Sequence, residues 1–341
     1  MTKSDTSIEI RDLYKIFGAN PKAYVDAVKQ GLSKAELSEA HGHILGLNNI
    51  NISMPAGKIQ VIMGLSGSGK STLIRHINRL IEPTSGSIMI DGRDILSMSE
   101  EELRDFRRRG TAMVFQKFAL LPNRTVLENT SYGLEVQGIP QDKRLATARH
   151  WLDRVGLNGF ESKYPNQLSG GMQQRVGLAR ALANDAPTLL MDEAFSALDP
   201  LIRVDMQTIL LDLQKEIRKT IVFITHDLDE ALLLGDHIAI LKDGTLRQVG
   251  TGADILARPA DDYVARFVRD VNRGRILLCG AFADAGLIPA ADAPVIGAEA
   301  TLESAFAAFA GGAQAVAVRN GDGRIAGALT AQRVMEVLAR E

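Results

Sequence analysis

The sequence predicts an α/β fold, a largely parallel sheet with helices between its strands and a site at the sheet's carboxyl edge. Three observations carry this. A glycine-rich stretch, Gly64-Leu65-Ser66-Gly67-Ser68-Gly69-Lys70-Ser71, lies between a short apolar run and a helical pattern. Further apolar runs at 111–115, 188–191 and 221–225 end on Gln116, on Asp192-Glu193 and on His226. Segments between these runs, 141–155 and 171–184, have apolar residues at helical spacing. Strands alternating with helices, and polar residues at strand ends, describe such a sheet.

In chain order, residues 7–18 alternate as a strand ending at Gly18. Residues 20–43 turn helical, with Ser33 and Glu36 spaced as a capping box and Leu32 and Leu37 as its staple. They interrupt the run from the first strand to residues 44–54, so they read as an insertion in a β-rich lobe. Pro55-Ala56-Gly57 turns the chain into Ile59, Val61, Ile62 and Met63, a buried strand, and Leu73, Ile74, Ile77, Leu80 and Ile81 then follow at helical spacing. Strand, loop and helix together aim backbone N–H groups and the positive end of a helix dipole at a polyphosphate. In this setting Lys70 reaches the β- and γ-phosphates and the Ser71 hydroxyl sits on Mg²⁺. Asp91-Gly92 marks a hairpin, and residues 100–109 a charged helix whose arginines, 104 and 107–109, read as a solvated face. A helix is predicted around Pro259 to Arg273, with a domain boundary at Gly274. Beyond it come a helix opening at Thr301, a strand at 315–318, a turn at 320–323, a strand at 325–329 and a helix at 331–338.

Composition narrows the function classes. A net charge of −2 gives no global attraction to nucleic acid or anionic lipid. One cysteine, Cys279, allows neither an internal disulfide nor a cysteine-built zinc site. The polar residues 1–5 do not read as a signal peptide, and no apolar run reaches the roughly 18 residues of a spanning helix. Membrane association is expected through a partner.

With these residues in place, the chain resembles the nucleotide-binding subunits of ATP-binding cassette (ABC) transporters over residues 7–270. Leu168-Ser169-Gly170-Gly171-Met172-Gln173-Gln174 is similar to the signature motif, and Leu189-Leu190-Met191-Asp192-Glu193 to the Walker B strand. The resemblance implies a P-loop NTPase with a RecA-like core, an antiparallel β lobe and a helical signature subdomain. It implies ATP and Mg²⁺, with Gly64, Ser66, Gly67, Ser68, Gly69, Lys70, Ser71 and Thr72 around the nucleotide and Phe17 on adenine, Tyr14 being the alternative. Ser71, Asp192 and Gln116 are implied at the metal, Glu193 at the attacking water, and His226 and Gln116 as switch and Q-loop residues. Ser169, Gly170, Gly171 and the D-loop residue Asp199 are implied to serve a second copy of the chain, paired head to tail.

Within the family the sequence is similar to importers of quaternary amines such as glycine betaine, proline betaine or choline. The similarity rests on residues 13–18, Gly31-Leu32-Ser33-Lys34, residues 62–70 and residues 191–203, including Ala194 after the Walker B glutamate. It implies a membrane permease, an extracellular or periplasmic substrate-binding protein as an indirect partner, and a place at the cytoplasmic face of the inner membrane. An importer of amino acids or another small solute is the alternative. An ABC ATPase acting on nucleic acid would carry tandem cassettes, a coiled-coil insertion or zinc-binding cysteines, and this chain has none of these. The expected domains are 1–273, with the insertion at about 20–43, and 274–341. Residues 294–341 resemble one cystathionine-β-synthase (CBS) module, and 275–293 are too short for a second. A regulatory half and a plain packing lobe both fit that tail.

Overall fold

The computed structural model describes residues 7–269 and 271–339; residues 1–5, read above for a signal peptide, lie outside the described residues. The chain forms two compact units, Met1–Val249 and Gly250–Glu341. The strands of the first are β1 (Ile8–Phe17), β2 (Ile44–Met54), β3 (Ile59–Met63), β4 (Ser85–Ile90), β5 (Arg93–Asp94), β6 (Thr111–Phe115), β7 (Thr188–Asp192), β8 (Thr220–Thr225), β9 (His237–Lys242) and β10 (Thr245–Gly250).

They form two sheets. In one, β2-β1-β4-β5, every neighbouring pair is antiparallel. The other runs β10-β9-β3-β8-β7-β6, with β9, β3, β8, β7 and β6 parallel. Every residue of β3, β7 and β8 is buried, as unbroken apolar runs require of central parallel strands. The helix Lys70–Ile77 joins the sheets. Its Leu73, Ile74 and Ile77 share one core with Ile8, Leu13 and Ile50 of the antiparallel sheet and Leu190, Val222 and Ile224 of the parallel one. Arg107 holds the end of that helix, donating from Nε to the Asn78 carbonyl at 3.0 Å and from Nη2 to that of Arg79. One member of the basic cluster expected to be solvated is therefore structural.

The insertion is helical as expected, with a 3₁₀ turn Pro21–Tyr24 and helices Val25–Lys29 and Lys34–His41. The Ser33–Glu36 capping box is present. Val25, Val28 and Leu37 pack with Tyr14, Ile16 and Leu45 into a small separate core. Helices Val126–Val136, Gln141–Arg154 and Gly170–Ala183 pack on one another and bury Leu134, Trp151 and Leu152.

In the second unit, Val295–Gly297 runs parallel to Ala315–Arg319, which pairs antiparallel with Ile325–Thr330. The helices are Gly252–Ala257, Asp262–Phe267, Phe306–Ala310 and Ala331–Leu338. The division after Val249 falls upstream of the Gly274 expected from sequence. Gly274 is buried inside the second unit, where a Cβ would lie 3.4 Å from Phe306 and 3.7 Å from Leu338. Leu256, Ala265 and Val268 line a cavity of about 810 Å³ together with Leu277, Phe282 and Leu338. The helix expected from Pro259 to Arg273 is confined to Asp262–Phe267, and Asp270 lies outside the described residues. No helix among the described residues is long and apolar enough to cross a membrane.

Candidate functional site

The site grows from the carboxyl end of β3. The loop after it presses against neighbouring backbone. A Cβ on Gly64 would run into the Leu241 carbonyl, and one on Gly69 would lie 2.9 Å from the Gly46 oxygen. Gly69 also has φ 103°, a conformation glycine adopts without strain. Lys70 opens the following helix, and its side chain is buried. Its Nζ donates to the carbonyls of Gly64 at 2.8 Å and Leu65 at 3.1 Å, and stands 3.6 Å from Glu193 Oε1. The buried Ser68 hydroxyl has no hydrogen-bond partner. A buried orphan of this kind points to a ligand or water within the loop.

The neighbouring strand ends supply the rest. Ser71 Oγ donates to Asp192 Oδ1 at 2.8 Å, and Arg75 Nη2 lies 3.5 Å from Asp192 Oδ2. Glu193, one residue past β7, has φ 47°. Its carboxylate accepts from Gln116 Nε2 at 3.3 Å and lies 3.8 Å from His226 Nδ1. Gln116 Nε2 also donates to Ser196 Oγ at 3.1 Å. The sheet order β3-β8-β7-β6 therefore delivers, side by side, the phosphate loop, His226, Asp192 with Glu193, and Gln116.

Among the described residues no group of three or more His, Cys, Asp or Glu could cage a metal. A hydroxyl and a carboxylate at 2.8 Å instead fit a hard ion such as Mg²⁺ that completes its shell with phosphate oxygens and water. Phe17, at the end of β1, is partly exposed, with Lys15 Nζ 4.9 Å from its ring centre. Its ring covers Gly46, whose carbonyl abuts Gly69, so an aromatic face borders the phosphate loop. Tyr14 is buried in the insertion's core, and that removes it as the stacking alternative.

Ser169, Gly170 and Gly171 stand apart. Ser169 caps the helix Gly170–Ala183, its hydroxyl accepting from the Met172 N–H at 3.3 Å, and Ser169 and Gly170 are exposed. No hydrogen bond or ion pair among the described residues joins them to Gly64–Ser71. Asp199 is likewise exposed, at the N-cap of the helix Pro200–Ile217. Two site neighbours, Arg75 and Arg203, were not singled out in the sequence. Arg75 follows Ser71 by four residues, one helical turn, and that spacing was the available signal.

A sheet edge of this kind defines the class of nucleoside-triphosphate-binding proteins built on a phosphate loop. The ABC transporter family pattern matches residues 47–196. Over 273 residues, 80% of this chain, the sequence is 56% identical to the glycine betaine transport ATP-binding protein OpuAA of Bacillus subtilis (strain 168), and the match spans 65% of that protein. The trimethylamine N-oxide transport system ATP-binding protein TmoW of Ruegeria pomeroyi is 42% identical over 98% of this chain and 97% of its own length. A solved dimeric ATP-binding cassette in a post-hydrolysis state, bound to ADP and Pi, is 33% identical with a TM-score of 0.61, over 72% of this chain and 98% of that one. The chain belongs to the ATP-binding proteins of ABC transporters. The fold expected for the cassette, an α/β P-loop NTPase, is borne out.

Proposed function

We propose that the chain hydrolyses ATP to drive import of a small osmolyte carrying a trimethylated nitrogen through a membrane permease. The observation that carries the reading is the convergence of Lys70, Ser71, Gln116, Asp192, Glu193 and His226 on four adjacent strand ends. Phosphoryl transfer to water asks for positioning and charge stabilisation, and this arrangement supplies both. The loop N–H groups and Lys70 hold the β- and γ-phosphates. Glu193 accepts a hydrogen bond from the attacking water and takes up its proton as the water oxygen bonds to the γ-phosphorus and the bond to the bridging oxygen breaks. His226, 3.8 Å from Glu193 Oε1, contacts the γ-phosphate, and Phe17 stacks on adenine. Ser71 and Asp192, with Gln116 beside them, would hold Mg²⁺, which when bound neutralises charge between the β- and γ-phosphates.

Ser169, Gly170, Gly171 and Asp199 lie outside this cluster, and they act on the nucleotide of a second copy paired head to tail. A solved relative is dimeric, and that supports pairing of two copies. In this reading the dimer sits on the permease at the cytoplasmic face of the inner membrane, with a substrate-binding protein delivering the solute from the other side. Residues 274–341, of which 294–341 resemble one CBS module, are in this reading the regulatory part.

The names of the relatives support the solute class. A glycine betaine transporter gives the higher identity, whereas a trimethylamine N-oxide transporter matches end to end, tail included. Glycine betaine, choline and trimethylamine N-oxide all present a trimethylated nitrogen, so the class is common to both relatives. The test is uptake of each labelled solute by the reconstituted complex with ATP inside the liposomes. ATP-dependent uptake of at least one is expected. Uptake of none, by a complex that hydrolyses ATP, overturns the solute class.

A further inference from the structure

One side chain joins the turn after Glu193 to the loop that carries His226. Arg203 stands in the first turn of the helix Pro200–Ile217. Its Nη2 donates to the carbonyls of Leu198 at 3.2 Å and Ser196 at 3.5 Å, and its Nη1 donates to Asp227 Oδ2 at 3.4 Å. Ser196 in turn donates from Oγ to the Glu193 carbonyl at 2.9 Å and accepts from Gln116.

On the other side, Asp227 directly follows His226. Its Oδ1 caps the helix Leu228–Leu234 by accepting from the Glu230 N–H at 3.1 Å, and its own N–H donates to Thr225 Oγ1 at 3.0 Å. His226 is thus flanked by two pinned residues while its own ring is exposed. One turn beyond Arg203 on the same helix, Gln207 Nε2 donates to Glu230 Oε1 at 3.0 Å, with both residues buried. Positions i and i+4 of one helix face therefore hold two successive points of the His226 segment. A guanidinium presents its donors in a fixed plane, so it can hold two carbonyls on one loop and a carboxylate on the other at a set separation. A lysine ammonium, a compact point charge on a flexible stem, has no such fork.

We propose that Arg203 is a positioning residue that sets the Glu193–His226 separation, and with it the placement of water against the γ-phosphate. This rests on the roles given above for Glu193 and His226. The test is ATP turnover and ATP binding of the full-length chain carrying Arg203→Ala, Arg203→Lys, Asp227→Asn, and Arg203→Ala with Asp227→Asn, beside Glu193→Gln as reference. Asparagine keeps an oxygen for the helix cap and loses the charge that Arg203 reads. Misplacement of a reacting group costs on the order of a hundredfold in rate. Arg203→Ala is therefore expected to lower kcat by about 10- to 100-fold with KM for ATP within about twofold, and lysine to restore only part. Asp227→Asn should act in the same direction, and the double variant should be no slower than the slower single one, because both remove one link. A merely structural role would move ATP binding and the thermal midpoint along with kcat, and that result overturns the proposal. So does a wild-type kcat in Arg203→Ala, or single effects that multiply in the double variant. Wild-type turnover in Glu193→Gln overturns both the proposal and the site reading. A nearly inactive Glu193→Gln beside a wild-type Arg203→Ala overturns the proposal alone.

Discussion

Glu193 occupies left-handed backbone, φ 47°, where a side chain other than glycine is uncommon, and its carboxylate meets Lys70, Gln116 and His226 together. Glu193→Gln preserves the shape and removes the base. It should keep ATP affinity while turnover falls on the order of a hundredfold or more, measured by phosphate release beside nucleotide titration; wild-type turnover would take Glu193 out of the chemistry. A second residue-scale effect concerns stability. His76 is fully buried on the phosphate-loop helix, its Nδ1 donating to the Thr72 carbonyl at 2.6 Å, and burial pushes its pKa down to about 4. A histidine held neutral in the folded state contributes stability that is present above the unfolded pKa, near 6.5, and lost as pH falls toward 4. The loss should reach about 2 kcal/mol between pH 7 and pH 5. Urea unfolding of wild type against His76→Asn, which can keep the bond to Thr72 without titrating, should show that difference. Equal pH slopes would contradict it.

At the scale of elements, the segment leading from Gln116 to the helix Val126–Val136 hangs on one buried amide. Asn129 donates from Nδ2 to the carbonyls of Leu121, Arg124 and Thr125, each at 3.0 Å, and its Oδ1 accepts from the Leu121 N–H at 2.7 Å. Asn129→Leu leaves those groups unmatched. It should lower stability by about 1–3 kcal/mol and open Lys117 and Arg124 to trypsin; an unchanged unfolding midpoint and digestion pattern would refute this. The sequence made the central strands and the phosphate-loop helix legible because an unbroken apolar run between turn signals has few other uses. The helices Val126–Val136, Pro200–Ile217 and Leu228–Leu234, and strands β9 and β10, were not read from it. Their signals were local and polar: the Thr125–Glu128 capping box, Pro200 at the first helical position, Asp227 as a cap, and the Asp243-Gly244 turn between β9 and β10. Burial in the helix Pro200–Ile217 is limited to Met206, Gln207, Leu210 and Leu213, and a stripe that narrow gives a weak period. The contacts of Arg203 with Asp227 and of Arg75 with Asp192 were hard to read for a related reason, the one-turn spacing of Arg75 from Ser71 being the only local sign. Each acts on a residue distant in sequence, and only folding brings the pair together.

For the whole molecule, the residues proposed to hold the nucleotide all lie in the first unit, and the second begins at Gly250 rather than at Gly274. A chain ending at Thr251 keeps β10 intact and should bind ATP as the full chain does. A chain ending at Asn272 strips Leu277, Phe282 and Leu338 from the cavity they share with Leu256 and Val268, and should associate nonspecifically on size exclusion. If residues 250–341 regulate, liposomes with the shorter form should hydrolyse ATP and transport without the salt dependence of the full chain; a full salt response would leave them a packing role. In the proposed dimer one ATP is held by the phosphate loop of one copy and the signature loop of another. Ser66 and Ser169 are both exposed, and no hydrogen bond or ion pair among the described residues connects their loops within one chain. The direct measurement is disulfide crosslinking of Ser66→Cys chains mixed with Ser169→Cys chains, in a Glu193→Gln background with Cys279 replaced. Head-to-tail pairing predicts a crosslinked dimer that forms with ATP and fails to form without nucleotide. ATP-saturated chains that yield no crosslinked dimer would contradict it.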